Sequence, residues 1–511
     1  MLRKSSVVPR AFKRLQSHLY SMLLSDVRHR WEKLSLKESY FSTGLDEHGL
    51  KIQNAAELKG LPPKEFVDQL SVTFKDLTKL AHIDYDRFIR TTDDDHIQAV
   101  QHFWNVLNER GYIYEGEHGG WYSVSDETFY PEAQIFEKEG KYFSKETGTE
   151  VTYSTEKNYF FKLSNFKDQL IKLLKENPKW IIPEQKHKDV LYELETNGLQ
   201  DLSISRPSSR LQWGIPVPGD ESQTIYVWVD ALVNYITCAK YPNLTNIWPG
   251  THLIGKDIIR FHCVYWPSLL LAAGVALPKQ FIVHGHWLAD GYKMSKSRGN
   301  VVDPILMAQY YDTDVLRFFL CENSVLNSDN NFSEDRLFST REQIVDKFGN
   351  LVMRCCGPKF DAERAIRNFE DHDVSILDES FQTAQRELVQ DINLLHEKMN
   401  SKMIEFNTSS AIQDIWNVLI KANQFFQNTE PWKRTDQEKD IILFTALETA
   451  RVSAILSLPF MPDLAKKFLN RIGVDKFDFE YAKYGADLTY GKGINRKGDF
   501  PIKKIEMRKS D

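Results

Sequence analysis

Short apolar runs that stop at polar or glycine residues alternate with amphipathic helices along much of this chain, and that alternation narrows the possible folds more than any other feature. Ser39-Tyr-Phe-Ser-Thr43, Thr224-Ile-Tyr-Val-Trp-Val229, His252-Leu-Ile-Gly255 and Gln280-Phe-Ile-Val-His284 read as strands. Leu19, Leu23, Leu24, Val27 and Trp31 recur at three- and four-residue steps, so residues 18–34 read as an amphipathic helix. A helix with alternating charge, around 52–59, follows a loop at 44–49. Such alternation favours a parallel sheet covered by helices. Residues 112–225 change character, with aromatics, polar turns and strand-like pieces such as Trp121-Tyr-Ser-Val124, and predict an insertion with its own small fold. From residue 345 onward helices dominate, with long amphipathic stretches at 382–407, 411–427 and 437–456. Roughly the last thirty residues, rich in lysine and holding Gly485, Gly491, Gly493 and Gly498, read as loosely ordered.

At about 150 residues per domain, 511 residues suggest three to four domains. The 42% hydrophobic and 27% charged content exclude a largely disordered chain. Cys238, Cys263, Cys321, Cys355 and Cys356 form no C-x-x-C pair, which argues against a disulfide framework or a thiolate zinc knuckle. The longest apolar run, 264–278, is shorter than a membrane span and is broken by Pro267 and Gly274, so a soluble intracellular protein without membrane contact is expected. The net charge of -6 gives no global excess of positive charge; any nucleic-acid surface must be local. Residues 1–17 carry Arg3, Lys4, Arg10, Lys13, Arg14 and three serines, and no acidic residue precedes Asp26. That composition fits a mitochondrial presequence, the alternatives being an altered start or a frayed basic terminus.

The sharpest motif is Lys293-Met-Ser-Lys-Ser297 with Arg298-Gly-Asn300, flanked by Gly291 and Gly299. Two lysines three apart on a glycine-bounded loop can close over a polyphosphate and neutralise charge on leaving pyrophosphate. An arbitrary K-x-x-K is more often a solvated basic turn. The whole pentapeptide, however, matches the KMSKS signature of class I aminoacyl-tRNA synthetases. Thr43-Gly44-Leu45-Asp46-Glu47-His48-Gly49 resembles the TGTDEHG block of the methionyl-tRNA synthetases. Gly255-Lys-Asp257-Ile-Ile-Arg-Phe261-His262 resembles their GKDIxxFH block, and Tyr226-Val-Trp228-Val-Asp230-Ala-Leu-Val-Asn-Tyr235 a third. The resemblance runs in one order from about His18 to the C-terminus and is nearest to the mitochondrial, zinc-free type of fungi. The insertion at 112–225, without a single cysteine, is too short for the editing insertion of the leucine, isoleucine and valine enzymes of this class.

The resemblance implies an α/β fold: a Rossmann-type catalytic domain with a connective insertion, followed by an all-α anticodon-binding bundle. Its segments would be a presequence or altered start at 1–17, a first catalytic half at 18–111, the insertion at 112–225, a second half at 226–290, the KMSKS loop with a stem-contact region at 291–344, and the helical domain at 345–511. Asp46 would pair with the ammonium of methionine; the alternative, for a bare residue before a helix, is a cap. Trp228, Ala231, Tyr235, Ile258, His262 and Trp266 would line a slot for the thioether, which aromatic rings favour; as isolated aromatics they would belong to a core. Gly255 and Asp257 would hold the ATP ribose, with His284, Gly285 and Trp287 at the nucleotide. Lys296, supported by Lys293 and His18, would meet the phosphates of Mg-ATP, and no resident metal or zinc is expected. Asn350 and Arg354, four apart on one helical face, would reach anticodon bases, and Trp432 would stack on one. Methionine and both initiator and elongator methionine tRNA would be the partners, in the mitochondrial matrix, with a monomer as the default.

One segment departs from the family. Where P-H-[IL]-G-H should precede the helix, this chain has Arg14-Leu-Gln-Ser-His18, and only His18 survives. Two readings compete: an altered start to a chain whose counterpart keeps the motif, or a tRNA-binding protein that has lost adenylation. The intact KMSKS and pocket blocks favour the first.

Overall fold

The computed structural model describes residues 9–123, 128–130, 132–289, 292–293, 303–495 and 498–508. The chain forms two compact units, one of residues 40–76 and 85–283, the other of residues 1–39, 77–84 and 284–511.

In the first unit, strand Ser42–Leu45 pairs in parallel with Arg87–Arg90, placing Gly44 opposite Ile89. A Cβ on Gly44 would lie 1.9 Å from the Ile89 carbonyl oxygen, so the close approach of the two backbones requires glycine. Strand Gln280–His284 lies between Thr251–Gly255 and Ile181–Ile182 and runs parallel to the latter. The parallel pairing expected from the alternation is present. The 112–225 segment builds a sheet with the long antiparallel ladder of Ile113–Ser123 on Glu150–Phe161 at its centre. Trp121 packs on Tyr142 at 4.2 Å and edge-on against Tyr153, aromatic contacts that hold this cysteine-free sheet together.

One expected strand is mostly something else. Strand Asp220–Ile225 ends before Tyr226, and Val227–Cys238 is a helix, so Val227, Trp228 and Val229 are helical. Val227, Val229, Asp230, Leu232, Val233, Ile236, Thr237 and Cys238 are all buried. A helix buried on most of its faces has no polar stripe, and its short valine-rich start then reads like a core strand.

In the second unit, the helices Glu379–Ile404, Thr408–Asn428 and Asp436–Ser457 match the amphipathic stretches closely. Within the described residues the first helix runs Pro9–Leu34, reaching nine residues before the expected 18. Its Trp31 indole N–H donates to Asn400 Oδ1 at 3.0 Å. Its Asp26, fully buried, accepts from Arg317 at 2.6 Å, from Arg30 at 2.9 Å and from the Asp84 backbone N–H at 2.7 Å.

The C-terminal stretch corrects the expectation of loose order. It has little regular secondary structure, yet Tyr490, Ile494 and Ile502 are buried. Gly485, Gly491 and Gly493 supply left-handed turns at φ 71°, 86° and 70°. The turns wrap a wholly buried Glu448–Arg451 pair. All five cysteines are free and buried. Among the described residues no helix is long and apolar enough to cross a membrane.

Candidate active site and RNA-reading surface

The loop leaving strand Ser42–Leu45 carries three charged or titratable side chains with different fates. Asp46 is exposed, whereas Glu47 and His48 are 2% and 7% exposed. Glu47 accepts from Arg90 Nε at 2.8 Å and from the Thr92 hydroxyl at 2.6 Å, and its backbone N–H donates to Thr91 at 2.9 Å. The Trp213 indole N–H donates to the Glu47 carbonyl at 2.6 Å. His48 reaches the other way, with Nδ1 2.7 Å from Asp230 Oδ2. The residue capping helix Leu50–Glu57 is Gly49, at φ 100° and without a side-chain cap, so the N-cap position is not Asp46. Its carboxylate lies in the field of His48, whose charged form it favours.

Trp228, Ala231 and Tyr235 recur at three- and four-residue spacing on helix Val227–Cys238, so they form a partly exposed stripe on an otherwise buried element. Trp228 stacks face to face on Phe261, with centroids 3.7 Å apart and planes 9° from parallel. Phe261 opens a π-helical turn, Phe261–Tyr265, an irregularity that re-aims side chains and recurs at functional sites. Within it His262 Nδ1 lies 3.0 Å from the Ile258 carbonyl and Nε2 lies 2.8 Å from the Tyr235 hydroxyl. A carbonyl can only accept, so Nδ1 carries the hydrogen and Nε2 accepts from Tyr235. Burial pushes His262 down to about 4, which keeps the ring neutral at physiological pH. His252, stacked on Tyr235 at 3.9 Å, is pushed down to about 3 by burial and then by His262. Trp266 is fully buried; its N–H donates to His252 at 3.2 Å, so it backs this cluster from the core side.

Gly255 ends strand Thr251–Gly255, and Asp257 lies exposed in the 3-10 turn Lys256–Ile258. That is the carboxyl end of a strand, where open α/β sheets take ligands.

In the other unit His284 is 1% exposed. Its Nδ1 donates to the Gly285 carbonyl at 2.7 Å, leaving Nε2 to accept from the Ser21 hydroxyl at 2.7 Å. The Tyr20 ring packs edge-on against both His284 and Trp287, at 4.9 and 5.7 Å. A Cβ on Gly285 would meet the Ser328 carbonyl oxygen at 2.1 Å, so this glycine has a packing reason apart from any nucleotide. Trp287 begins strand Trp287–Ala289, which pairs with Tyr292–Lys293 and places Lys293 opposite Leu288. Asp303 Oδ1 accepts from the backbone of Ile305 and Leu306 and so starts helix Pro304–Tyr311. Lys296 lies outside the described residues, as does the rest of the KMSKS segment after Lys293. His18 falls within helix Pro9–Leu34, one turn before Ser21.

Asn350 opens helix Asn350–Cys355 directly after the π-helical turn Ile344–Gly349. Arg354, one turn on, donates to Gln427 Oε1 at 2.8 Å and lies 4.8 Å over the Phe426 ring. Asn423 donates to the Lys347 carbonyl at 2.8 Å and ties the helix bearing Gln427 to that turn. Trp432 sits in the short turn Pro431–Lys433 and is 41% exposed.

The family model described as tRNA synthetases class I (M) matches residues 16–356. The chain belongs to the methionyl-tRNA synthetase family. A second model, the anticodon binding domain of methionyl tRNA ligase, matches residues 378–505. The mitochondrial methionine–tRNA ligases of Candida albicans and Saccharomyces cerevisiae are each 47% identical, covering 96% of this chain and 93% of their own length. The human mitochondrial relative is 41% identical over 89% of this chain and 81% of its own. A Mycobacterium tuberculosis methionyl-tRNA synthetase solved with bound methionyl-adenylate superposes with a TM-score of 0.86 at 34% identity, covering 95% of this chain and 96% of that one. The fold is thus a class I catalytic domain with a helical anticodon-binding domain.

Several structurally committed residues gave no sequence signal of their role. His48, His96 and Asp230 are joined across 134 and 182 residues of chain, a pairing that no local pattern reveals.

Proposed function

We propose that this chain activates methionine with Mg-ATP and transfers it to methionine tRNA, initiator and elongator alike, in the mitochondrial matrix. The methionine carboxylate attacks the α-phosphorus, pyrophosphate leaves, and the terminal adenosine hydroxyl of the tRNA then attacks the adenylate carbonyl and releases AMP. Asp46 pairs with the ammonium group. Trp228, Ala231, Tyr235, Ile258 and His262 face the side chain, with Trp266 behind them. Gly255 and Asp257 take the ribose, and the Trp287 backbone, with His284 and Gly285, the adenine. His18, Lys293 and Lys296 stabilise the phosphates as charge moves onto pyrophosphate. The catalytic segments are 18–111 and 226–290, the insertion 112–225 and the KMSKS region 291–344; residues 345–511 read the anticodon through Asn350, Arg354 and Trp432. Residues 1–17 would direct import.

The observation that supports this reading best is the neutral Tyr235–His262 pair beside the Trp228 stripe. A thioether is apolar and polarizable, so a slot for it should offer rings and a hydrogen-bonded polar pair without net charge. The relatives' names and the methionyl-adenylate in the mycobacterial structure point the same way. Methionine-dependent ATP–pyrophosphate exchange, with leucine as control, tests it. Exchange with methionine alone is expected. Absence of exchange with intact tRNA binding would sink the catalytic reading in favour of a non-catalytic tRNA binder, the outcome the altered 14–18 segment makes worth measuring.

Trp432→Ala should weaken binding of tRNA with a CAU anticodon by about 1–3 kcal/mol, the usual contribution of one stacked base, while exchange stays near wild type. Filter binding against an anticodon-substituted tRNA reads the effect. An equal loss of adenylate formation would place Trp432 in the wrong role.

A further inference from the structure

The carboxylate of Asp230 is fully committed inside the protein. One oxygen accepts from His48 Nδ1 at 2.7 Å and the other lies 2.8 Å from His96 Nε2. All three residues are buried, Asp230 to 1% exposure. The far nitrogen of His96 continues to the Thr237 hydroxyl at 3.2 Å, two turns further along the helix that carries Asp230. The three groups come from different elements: the loop after strand Ser42–Leu45, helix Asp94–Glu109 and helix Val227–Cys238. Burial opposes charge on this set. The ion pairing outweighs it, so His48 is shifted upward by Asp230, with Asp46 and Glu47 adding to it, and Asp230 is shifted downward.

Two of the loop's side-chain anchors, those of Glu47 and His48, do different things. Glu47 is held by Arg90, Thr91 and Thr92, which belong to or directly follow the strand that pairs with Ser42–Leu45. That anchor secures the loop to its own sheet. The His48 contact is a side-chain bond that joins the loop to the helix presenting Trp228, Ala231 and Tyr235. Asp46 lies two residues before His48, and Ala231 is the residue after Asp230.

We infer that the His48–Asp230–His96 bridge is a positioning device for methionine: it sets the distance between the Asp46 carboxylate and the Trp228–Ala231–Tyr235 stripe, so that ammonium and side chain are bound together. This rests on the methionine-binding reading above. His48 does not touch the amino acid and acts through Asp46. Losing the bridge lets the loop shift against the stripe, and a misplacement of about 1 Å is enough to cost about 100-fold in a two-point site.

The test compares His48→Ala, His48→Asn and His48→Gln in pyrophosphate exchange, together with equilibrium methionine binding followed by tryptophan fluorescence. His48→Ala should raise the methionine KM by about 10- to 100-fold and leave the ATP KM within about threefold. His48→Asn places an amide N–H where Nδ1 stood and should recover most of the loss. His48→Gln keeps a donor but carries it one methylene further out, so it should lie between the other two. Should the alanine variant fail to fold, the asparagine and glutamine variants still decide the matter: equal methionine KM in both overturns the inference. So does a methionine KM for His48→Ala within twofold of wild type, or a parallel rise in both KM values, the mark of a general structural role. If the unaltered chain binds no methionine, the functional reading falls and the inference with it. If it binds methionine and His48→Ala binds equally well, only the inference falls.

Discussion

Lys296→Ala should lower methionine-dependent pyrophosphate exchange by about 100- to 1,000-fold while tRNA binding stays within about twofold of wild type. A unit charge about 4 Å from a phosphate oxygen at an effective dielectric near 20 contributes on the order of 4 kcal/mol. That energy acts where charge develops, on the departing pyrophosphate, so it appears in kcat and much less in the ATP KM. Lys296→Arg keeps the charge but moves it onto a broad, planar group, and should recover only part of the rate. Lys293→Ala should cost less, since in the proposed reading Lys293 plays the supporting part to Lys296 at the phosphates, its backbone paired opposite Leu288 in the short hairpin. Rapid-quench measurement of adenylate formation separates the chemical step from release. Loss of tRNA binding to the same degree as loss of exchange would refute the assignment, because a phosphate lysine of the activation step has no part in reading the anticodon.

What could be read from the sequence depended on whether the signal was local. The helices at Glu379–Ile404, Thr408–Asn428 and Asp436–Ser457 were visible because uninterrupted helix-forming segments of such length admit no strand reading. The strands ending at Gly255 and His284 were visible as short apolar runs with polar stops. Helix Val227–Cys238 was not, since burial on nearly all sides removed the polar face that marks a helix. The site shows the same division. Asp46, Tyr235 and His262 came from motif resemblance, and the fold gives them complementary settings: an exposed carboxylate, a hydroxyl and a neutral ring. The bridge behind them joins residues that no window along the chain contains. Composition also misled at the C-terminus, where glycine and lysine suggested slack. The glycines there are turn formers that let the backbone close over buried charge.

That burial makes Arg451→Met the stability change with the largest expected cost. Arg451 and Glu448 have no exposed side-chain surface, and the guanidinium donates to both Glu448 oxygens, at 2.6 and 2.8 Å. It also donates to the carbonyls of Tyr481 and Lys483, each at 2.7 Å. The tail answers with the Tyr490 hydroxyl and the Gly485 N–H, both 2.7 Å from Glu448. Removing the cation strands a buried carboxylate and two carbonyls, which should cost about 3–5 kcal/mol. The cost should appear as a lower urea midpoint and as protease cleavage between residues 481 and 495. Replacing both partners, Glu448→Leu with Arg451→Met, leaves no stranded charge, so the double variant should be more stable than Arg451→Met alone. The tail should nonetheless remain cleavable in it, because Gly485 and Tyr490 have lost their acceptor. Additive losses in the double variant would mean that the pair is not coupled, and an uncleaved tail in Arg451→Met would mean that apolar burial of Tyr490 and Ile494 alone holds it down.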